Sequence, residues 1–223
     1  VWFLSYSKVN SHIINSAKET SPVCRILCIH GAGSTDQIYV RKYSNPHGNL
    51  SNYLINYVQE NSMELLALQL PGRAGRSLEN CCTDIKTLID DFYPVFFNHF
   101  IGDINIKNNA DIVPWILVGH SMGGLICFEL LKKIKFEFMR AFQDILKFKQ
   151  EPISEQPDFI TLLRKKRIFP ELLLIMSTCP PNIPETDFPW RKNRYLDNEE
   201  FMKECKEWGM NEGAFKKLSL IHI

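Results

Sequence analysis

Four short stretches of the chain are apolar at nearly every position: Arg25-Ile-Leu-Cys-Ile29, residues 65–70, residues 114–118 and residues 171–176. Continuous apolar runs of this length, without polar alternation, predict strands buried on both faces. The intervals between them carry a different period. Leu50, Leu54, Ile55 and Val58 recur at helical spacing, and so do Ile85, Leu88, Ile89, Phe92 and Phe96 within residues 83–100. Pro94 falls inside the second pattern and is expected to bend or break that helix. Leu125, Phe128 and Leu131 predict a helix over 123–134 directly after the third run. Residues 136–169 mix apolar and basic positions, and Pro152 and Pro157 divide them into two expected helices. Short helices are expected at 199–208 and 212–218, and loops at 102–111 and around Pro180, Pro181 and Pro184.

Strands that alternate with helices, and that are apolar throughout, imply a mostly parallel sheet covered on both faces. The C-terminal ends of parallel strands then line one edge, where open α/β sheets bind their ligands. The loops at that edge begin at His30, Pro71, Gly119 and Cys179, so chemistry is sought there.

Composition narrows the reading. The 223 residues suit one domain spanning the chain, and their 45% apolar and 23% charged content is that of a globular protein. Twenty-six basic and 25 acidic residues leave a formal net charge of +1, which supplies no field for nucleic acid. No run approaches the ~18 apolar residues of a membrane span. The seven cysteines, an odd number, fit reduced thiols and a cytoplasmic setting better than a disulfide framework. Cys24 and Cys28 flank an apolar strand and have no second ligand pair at zinc-site spacing, so no metal is expected. The chain opens on Val1 and ends in mid-pattern at Ile223, and it reads as a fragment of a longer protein.

Gly119-His-Ser-Met-Gly123 lies between a predicted strand and a predicted helix, the context in which G-x-S-x-G forms a nucleophile turn. Side chains at Gly119 or Gly123 would collide with the neighbouring strand or helix. The turn thus pushes Ser121 into the open edge, and the Met122 N–H lies at the helix start, ready to meet developing negative charge. His30-Gly-Ala-Gly33, after the first strand, stands where a second oxyanion donor belongs, with either Gly31 or Ala32 supplying it. A phosphate loop is the competing reading, but the downstream Gly and Lys of a P-loop are missing.

Gly119-His-Ser-Met-Gly-Gly124 followed by Phe128-Glu-Leu130, together with Leu70-Pro-Gly-Arg-Ala-Gly-Arg76 after the second strand, resembles the type II thioesterases. The oleoyl-acyl-carrier hydrolases are in that group. The resemblance covers roughly residues 24 to 218. It implies an α/β-hydrolase fold, a mostly parallel sheet with helices on both faces and a helical lid, and it places the insertion and lid within 136–218 around a core strand at 171–176. It implies serine-dependent hydrolysis of acyl thioesters carried by an acyl carrier protein or coenzyme A, in the service of a fatty acid or polyketide synthase. No cofactor is needed, and a monomer is expected. A carboxylesterase, or a carrier-binding protein with an incomplete triad, is the alternative.

In the family the triad Asp and His follow the lid, on the last strands, which this chain is expected to lack. His222 is the only histidine after Ser121 and stands one residue from the end, so the chain alone is expected to be a weak catalyst. Asp187 and Asp197 are the acids available, Asp197 reading better as a helix cap. His30, His47 and His120 read as structural, with the His120 side chain expected to point away from the pocket. Arg73 and Arg76 read either as loop and carrier contacts or as solvated charges. The basic run Arg164-Lys-Lys-Arg167 reads as a solvated helix end, with carrier steering as the other reading.

Overall fold

All four apolar runs become strands of one sheet. In the computed structural model, which describes residues 2–5, 21–44, 50–102, 112–149, 167–178 and 196–207, the order is β1 (Phe3–Ser5), β2 (Arg25–Ile29), α1 (Gln37–Val40), β3 (Tyr43–Ser44), β4 (Leu50–Ser51), α2 (Tyr53–Glu60), β5 (Glu64–Leu68), a 3-10 turn (Ala74–Arg76), α3 (Ile85–Phe100), β6 (Trp115–His120), α4 (Met122–Lys149), β7 (Leu172–Met176) and α5 (Asn198–Glu207). The main sheet has the order β1-β5-β2-β6-β7. Its last four strands are parallel, while β1 pairs antiparallel with β5, a strand the apolar pattern does not reveal. β3 and β4 form a separate small ribbon.

Strand side chains alternate between faces, and here each face meets its own layer. Leu27, Ile29, Leu66, Leu68, Trp115 and Leu117 pack with α3 and α4 through Phe92, Phe96, Ile126 and Leu130. Ile26, Cys28, Leu65 and Ala67 pack with α1 and α2 through Val40, Ile55 and Val58. Phe96 and Phe100 stack at 4.9 Å between ring centroids, and both meet Trp115.

The helices differ from expectation in instructive ways. α2 starts at Tyr53 because Asn52 caps it, accepting the Ile55 N–H at 2.9 Å while its amide donates to the carbonyls of Tyr39 and Arg41. α3 starts after Asp84, which caps it through Thr87. Pro94 does not break α3. Both Pro94 and Asp90, whose carbonyl loses its helical partner, face water, which can satisfy that carbonyl. α4 does not stop at 134 but runs to Lys149, so the start of the 136–169 segment continues the helix. No proline follows until Pro152. Ion pairs Lys132–Glu129, Lys133–Glu137 and Arg140–Glu137 run along it, and Lys133–Asp90 ties it to α3.

A second correction concerns β7. Its apolar run predicts a buried core strand, yet residues 172–176 are each 37% to 54% exposed. β7 is the last strand in the order, bonded on one edge to β6, while the helical layers sit over β2, β5 and β6. Residues 103–111, residues 150–166 of the 136–169 segment and the expected helix at 212–218 lie outside the described residues. Among the described residues no helix is long and apolar enough to cross a membrane.

At the opposite end of the strands from the expected site, Arg25 Nε donates to Glu64 Oε2 at 3.0 Å and Arg25 Nη1 to the His99 carbonyl at 2.7 Å. Burial alone would raise the Glu64 carboxyl, but His99 and then Arg25 hold it below the usual carboxylate range. A depressed carboxylate stabilises the fold above its ordinary pKa, and that contribution is lost as pH falls through the folded value. Glu64→Gln should therefore cost about 1–3 kcal/mol at pH 7. The gap to wild type should narrow below about pH 4 in denaturant unfolding, near the ordinary carboxylate pKa; a gap that stays constant with pH would contradict the assignment.

Candidate active site

β6 ends at His120 and α4 begins at Met122, leaving Ser121 alone to turn the chain. It does so at φ +52°, a left-handed conformation that costs a non-glycine residue about 1–3 kcal/mol. Three hydrogen bonds hold it there. The Ser121 N–H donates to the Met176 carbonyl at 2.8 Å, the Gly124 N–H donates to the Ser121 carbonyl at 2.8 Å, and the Thr178 hydroxyl donates to that same carbonyl. The serine is therefore fixed from β7 as well as from its own strand and helix.

Close backbone approach explains the flanking glycines. A Cβ on Gly123 would stand 2.1 Å from the Ile29 carbonyl oxygen, and one on Gly119 would stand 2.7 Å from both Cys127 Sγ and the Gly123 oxygen. Ile29 is the last residue of β2 and pairs with Gly119. The start of α4 is thus pressed against the end of β2, at the point where β2 releases the next loop. The Tyr39 hydroxyl donates to the same Ile29 carbonyl at 2.9 Å.

That loop carries the second set of expected donors. A Cβ on Gly31 would lie 2.9 Å from the Ser121 Cβ and 3.0 Å from His120 Nδ1, so the Gly31–Ala32 backbone passes directly beside the serine. Gly33 turns the chain at φ +70°, and the Gly31 carbonyl is held by the Ser34 N–H at 3.3 Å and by His30 Nδ1, which donates to it at 2.9 Å. Met122 is the first helical residue, and its N–H has no acceptor within the helix. The arrangement brings Ser121, Met122, Gly31 and Ala32 to one place.

His30 is fully buried. Burial pushes its pKa below the ordinary histidine range, the charge of Arg73 adds to that, and the Gly31 bond and Asp36 oppose it. A neutral ring whose Nδ1–H is spent on a backbone carbonyl supports the loop. The His120 ring lies against Gly31, on the oxyanion-loop side. Beneath the turn, burial pushes the Cys28 thiol up to about 12 and the Cys127 thiol higher still, so neither offers a thiolate. Among the described residues no group of three His, Cys, Asp or Glu is placed to hold a metal.

The two arginines after β5 part company. Arg76 is fully engaged: it pairs with Glu79, donates to the Gln69 carbonyl at 3.0 Å and lies 4.1 Å over the Trp2 ring. Arg73 is half-buried, and its guanidinium makes no hydrogen bond or ion pair among the described residues. Asp197 Oδ1 accepts the Glu199 and Glu200 N–H groups at 2.9 Å, capping α5. His47, Asp187, His222 and residues 164–166 lie outside the described residues. Tyr39 and Thr178 support the site yet escape sequence reading. Tyr39 gives no signal, because its contact is to a backbone carbonyl, and Thr178 shows only its place just past a strand end.

The profile of the alpha/beta hydrolase family matches residues 26–211. Gramicidin S biosynthesis protein GrsT of Aneurinibacillus migulanus is 26% identical over 214 residues, which span 89% of this chain and 73% of that protein. Among solved structures, the type II thioesterase BorB from the borrelidin biosynthetic cluster superimposes with a TM-score of 0.52 at 20% identity, covering 98% of this chain and 64% of its own. ClbQ from the colibactin NRPS/PKS pathway gives a TM-score of 0.53 at 19% identity, covering 91% and 64%. The chain thus spans just under two thirds of the length of these solved relatives.

Gly123→Ala tests the close approach. The carbonyl it meets belongs to a central strand and cannot swing aside, so the substitution should cost about 3 kcal/mol or more, at the upper end of overpacking. Covalent labelling of Ser121 by a fluorophosphonate should fall with it. A variant of unchanged thermal midpoint and labelling rate would show that the contact is not tight.

Proposed function

The chain belongs to the alpha/beta hydrolase family, and on that premise we propose that it hydrolyses acyl thioesters with Ser121 as nucleophile. One observation carries the reading: Ser121 sits strained at the C-terminal edge of β6, with the Gly31–Ala32 backbone alongside it and the first turn of α4 directly behind. This is the geometry acyl transfer requires, a hydroxyl oxygen held next to N–H groups that meet the oxyanion. The likeness of fold to type II thioesterases, together with the Leu70-Pro-Gly-Arg73 segment, selects thioesters among acyl substrates.

In the proposed reaction the Ser121 oxygen attacks the thioester carbonyl as a histidine takes its proton. The Met122 N–H and the Gly31 or Ala32 N–H bind the oxyanion. The C–S bond then breaks, and the thiol leaves with the proton returned by that histidine. Water, deprotonated by the same base, releases the acid and restores the serine. The base and its orienting aspartate are assigned to the part of the fold that follows the 136–218 segment, outside the described residues; within the 223 residues His222 alone follows Ser121. The carrier is phosphopantetheine on an acyl carrier protein, or coenzyme A. The relatives named for gramicidin S, borrelidin and colibactin pathways favour a synthase that builds peptides or polyketides.

In the full-length protein, Ser121→Ala should lower acyl-CoA hydrolysis by about 10³-fold or more while leaving the thermal midpoint within a few degrees of wild type. A fluorophosphonate should label Ser121 and no other serine; labelling elsewhere overturns the assignment. Faster turnover of nitrophenyl esters than of matched thioesters would move the enzyme to the carboxylesterases.

A further inference from the structure

Arg73 is set in a rigid turn. The Gly72 N–H donates to the Arg76 carbonyl at 3.0 Å and the Arg76 N–H to the Arg73 carbonyl at 2.8 Å. Arg76 is itself pinned to Glu79, Gln69 and Trp2. The neighbouring carboxylate is thus already taken, and the Arg73 guanidinium is left half out of water with no partner among the described residues. Burial disfavours its charged form, and the Cys81 thiol opposes this. A half-desolvated guanidinium is an uncommon thing to leave unpaired, since its five donors lose water without gaining acceptors.

Its place in the sheet says what kind of group would meet it. β5 lies beside β2, which lies beside β6. Arg73 follows β5 at the same edge at which Ser121 follows β6, so their strands are two spacings apart, roughly 10 Å. The oxyanion loop after β2 runs between them, and the Arg73 charge reaches His30 within that loop. A carboxylate on the first carbons of an acyl group would stay beside the serine. A phosphate at the far end of a pantetheine arm, two amide-linked segments from the sulfur, would lie outside the acyl pocket at the rim. Arg73 stands at that edge two strands from the serine, and a planar guanidinium pairs with phosphate oxygens two at a time.

We infer that Arg73 is the residue that binds the phosphate of the pantetheine arm, so that the enzyme selects thioesters by their carrier group as well as by their acyl chain. The inference rests on the thioesterase reading for its substrate but not for its test. Ser121→Ala protein is titrated calorimetrically with 4′-phosphopantetheine and with pantetheine, which differ only in the phosphate. The phosphorylated form should bind at least about tenfold tighter, the size expected of charge-assisted hydrogen bonds. Arg73→Gln in the same background should bring the ratio close to one, and Arg73→Lys should restore part of it.

In turnover, Arg73→Gln should raise KM for an acyl-phosphopantetheine much more than for the same acyl-pantetheine, with kcat little altered, because the contact is equal in ground and transition states. Equal binding of the two forms by the Ser121→Ala protein overturns the inference. So does an equal loss on both substrates in Arg73→Gln, which would mark Arg73 as a loop residue. A loss confined to acyl groups that carry a carboxylate would give the site to the acyl chain instead. If neither thioester is hydrolysed, the thioesterase reading falls, and the titrations still decide the role of Arg73.

Discussion

The contact between the Gly123 backbone and the Ile29 carbonyl governs the rest of the site. Only a residue without a side chain lets the first turn of α4 sit on the end of β2. From that contact follow the strained φ of Ser121, the passage of Gly31 beside the serine, and the common height of two sets of N–H donors that come from different strands. Tyr39 shares the Ile29 carbonyl and so ties α1, on one face of the sheet, to a junction built by α4 on the other. Helices on opposite faces of the sheet thus meet at one peptide oxygen.

Around this junction the charged and polar groups are sorted by what they can reach. Burial keeps His30 neutral and turns it into a brace for the oxyanion loop. Arg76 and Glu79 satisfy each other and fix the turn after β5, while Arg73, three residues away, has no counter-charge among the described residues. At the far end of the strands, Arg25, Glu64 and His99 close a half-buried network of their own. Structural pairs thus sit where they rigidify turns and strand ends, and Arg73 follows β5 at the same sheet edge as Ser121.

Much of this was legible in the sequence, for definite reasons. A parallel strand between two helical layers must be apolar on both sides, so β2, β5 and β6 announce themselves as unbroken runs. A strained strand-to-helix turn must use glycine on either side, so residues 119–123 mark the turn that carries Ser121. β1 was not legible, because three residues are too few to show a period. The length of α4 was hidden because apolar and basic residues on one helix look like two segments until its i, i+3 and i, i+4 pairs are seen. The exposure of β7 contradicts its own composition: an apolar run records what a strand is suited to lie against, and not whether the described helices reach it. Arg73 and Arg76 are the same residue type three positions apart, and only the arrival of Trp2, from the other end of the chain, separates their roles.

The strand order has a consequence for how the protein comes to exist. β2 pairs with β6, yet α1, the β3–β4 ribbon, α2, β5 and α3 are all synthesised between them. On the ribosome the His30–Gly33 loop emerges long before Ser121, with β5 but not β6 for β2 to lean on and no serine for Gly31 to meet. Pairing across such a separation carries a large loop-closure entropy and is slow. The nucleophile turn is no more self-sufficient, since its strain is tolerable only once Ile29 and Met176 are in place. The His30–Gly33 loop and the Ser121 turn must therefore reach their final places together, in the closure that seats β6 between β2 and β7.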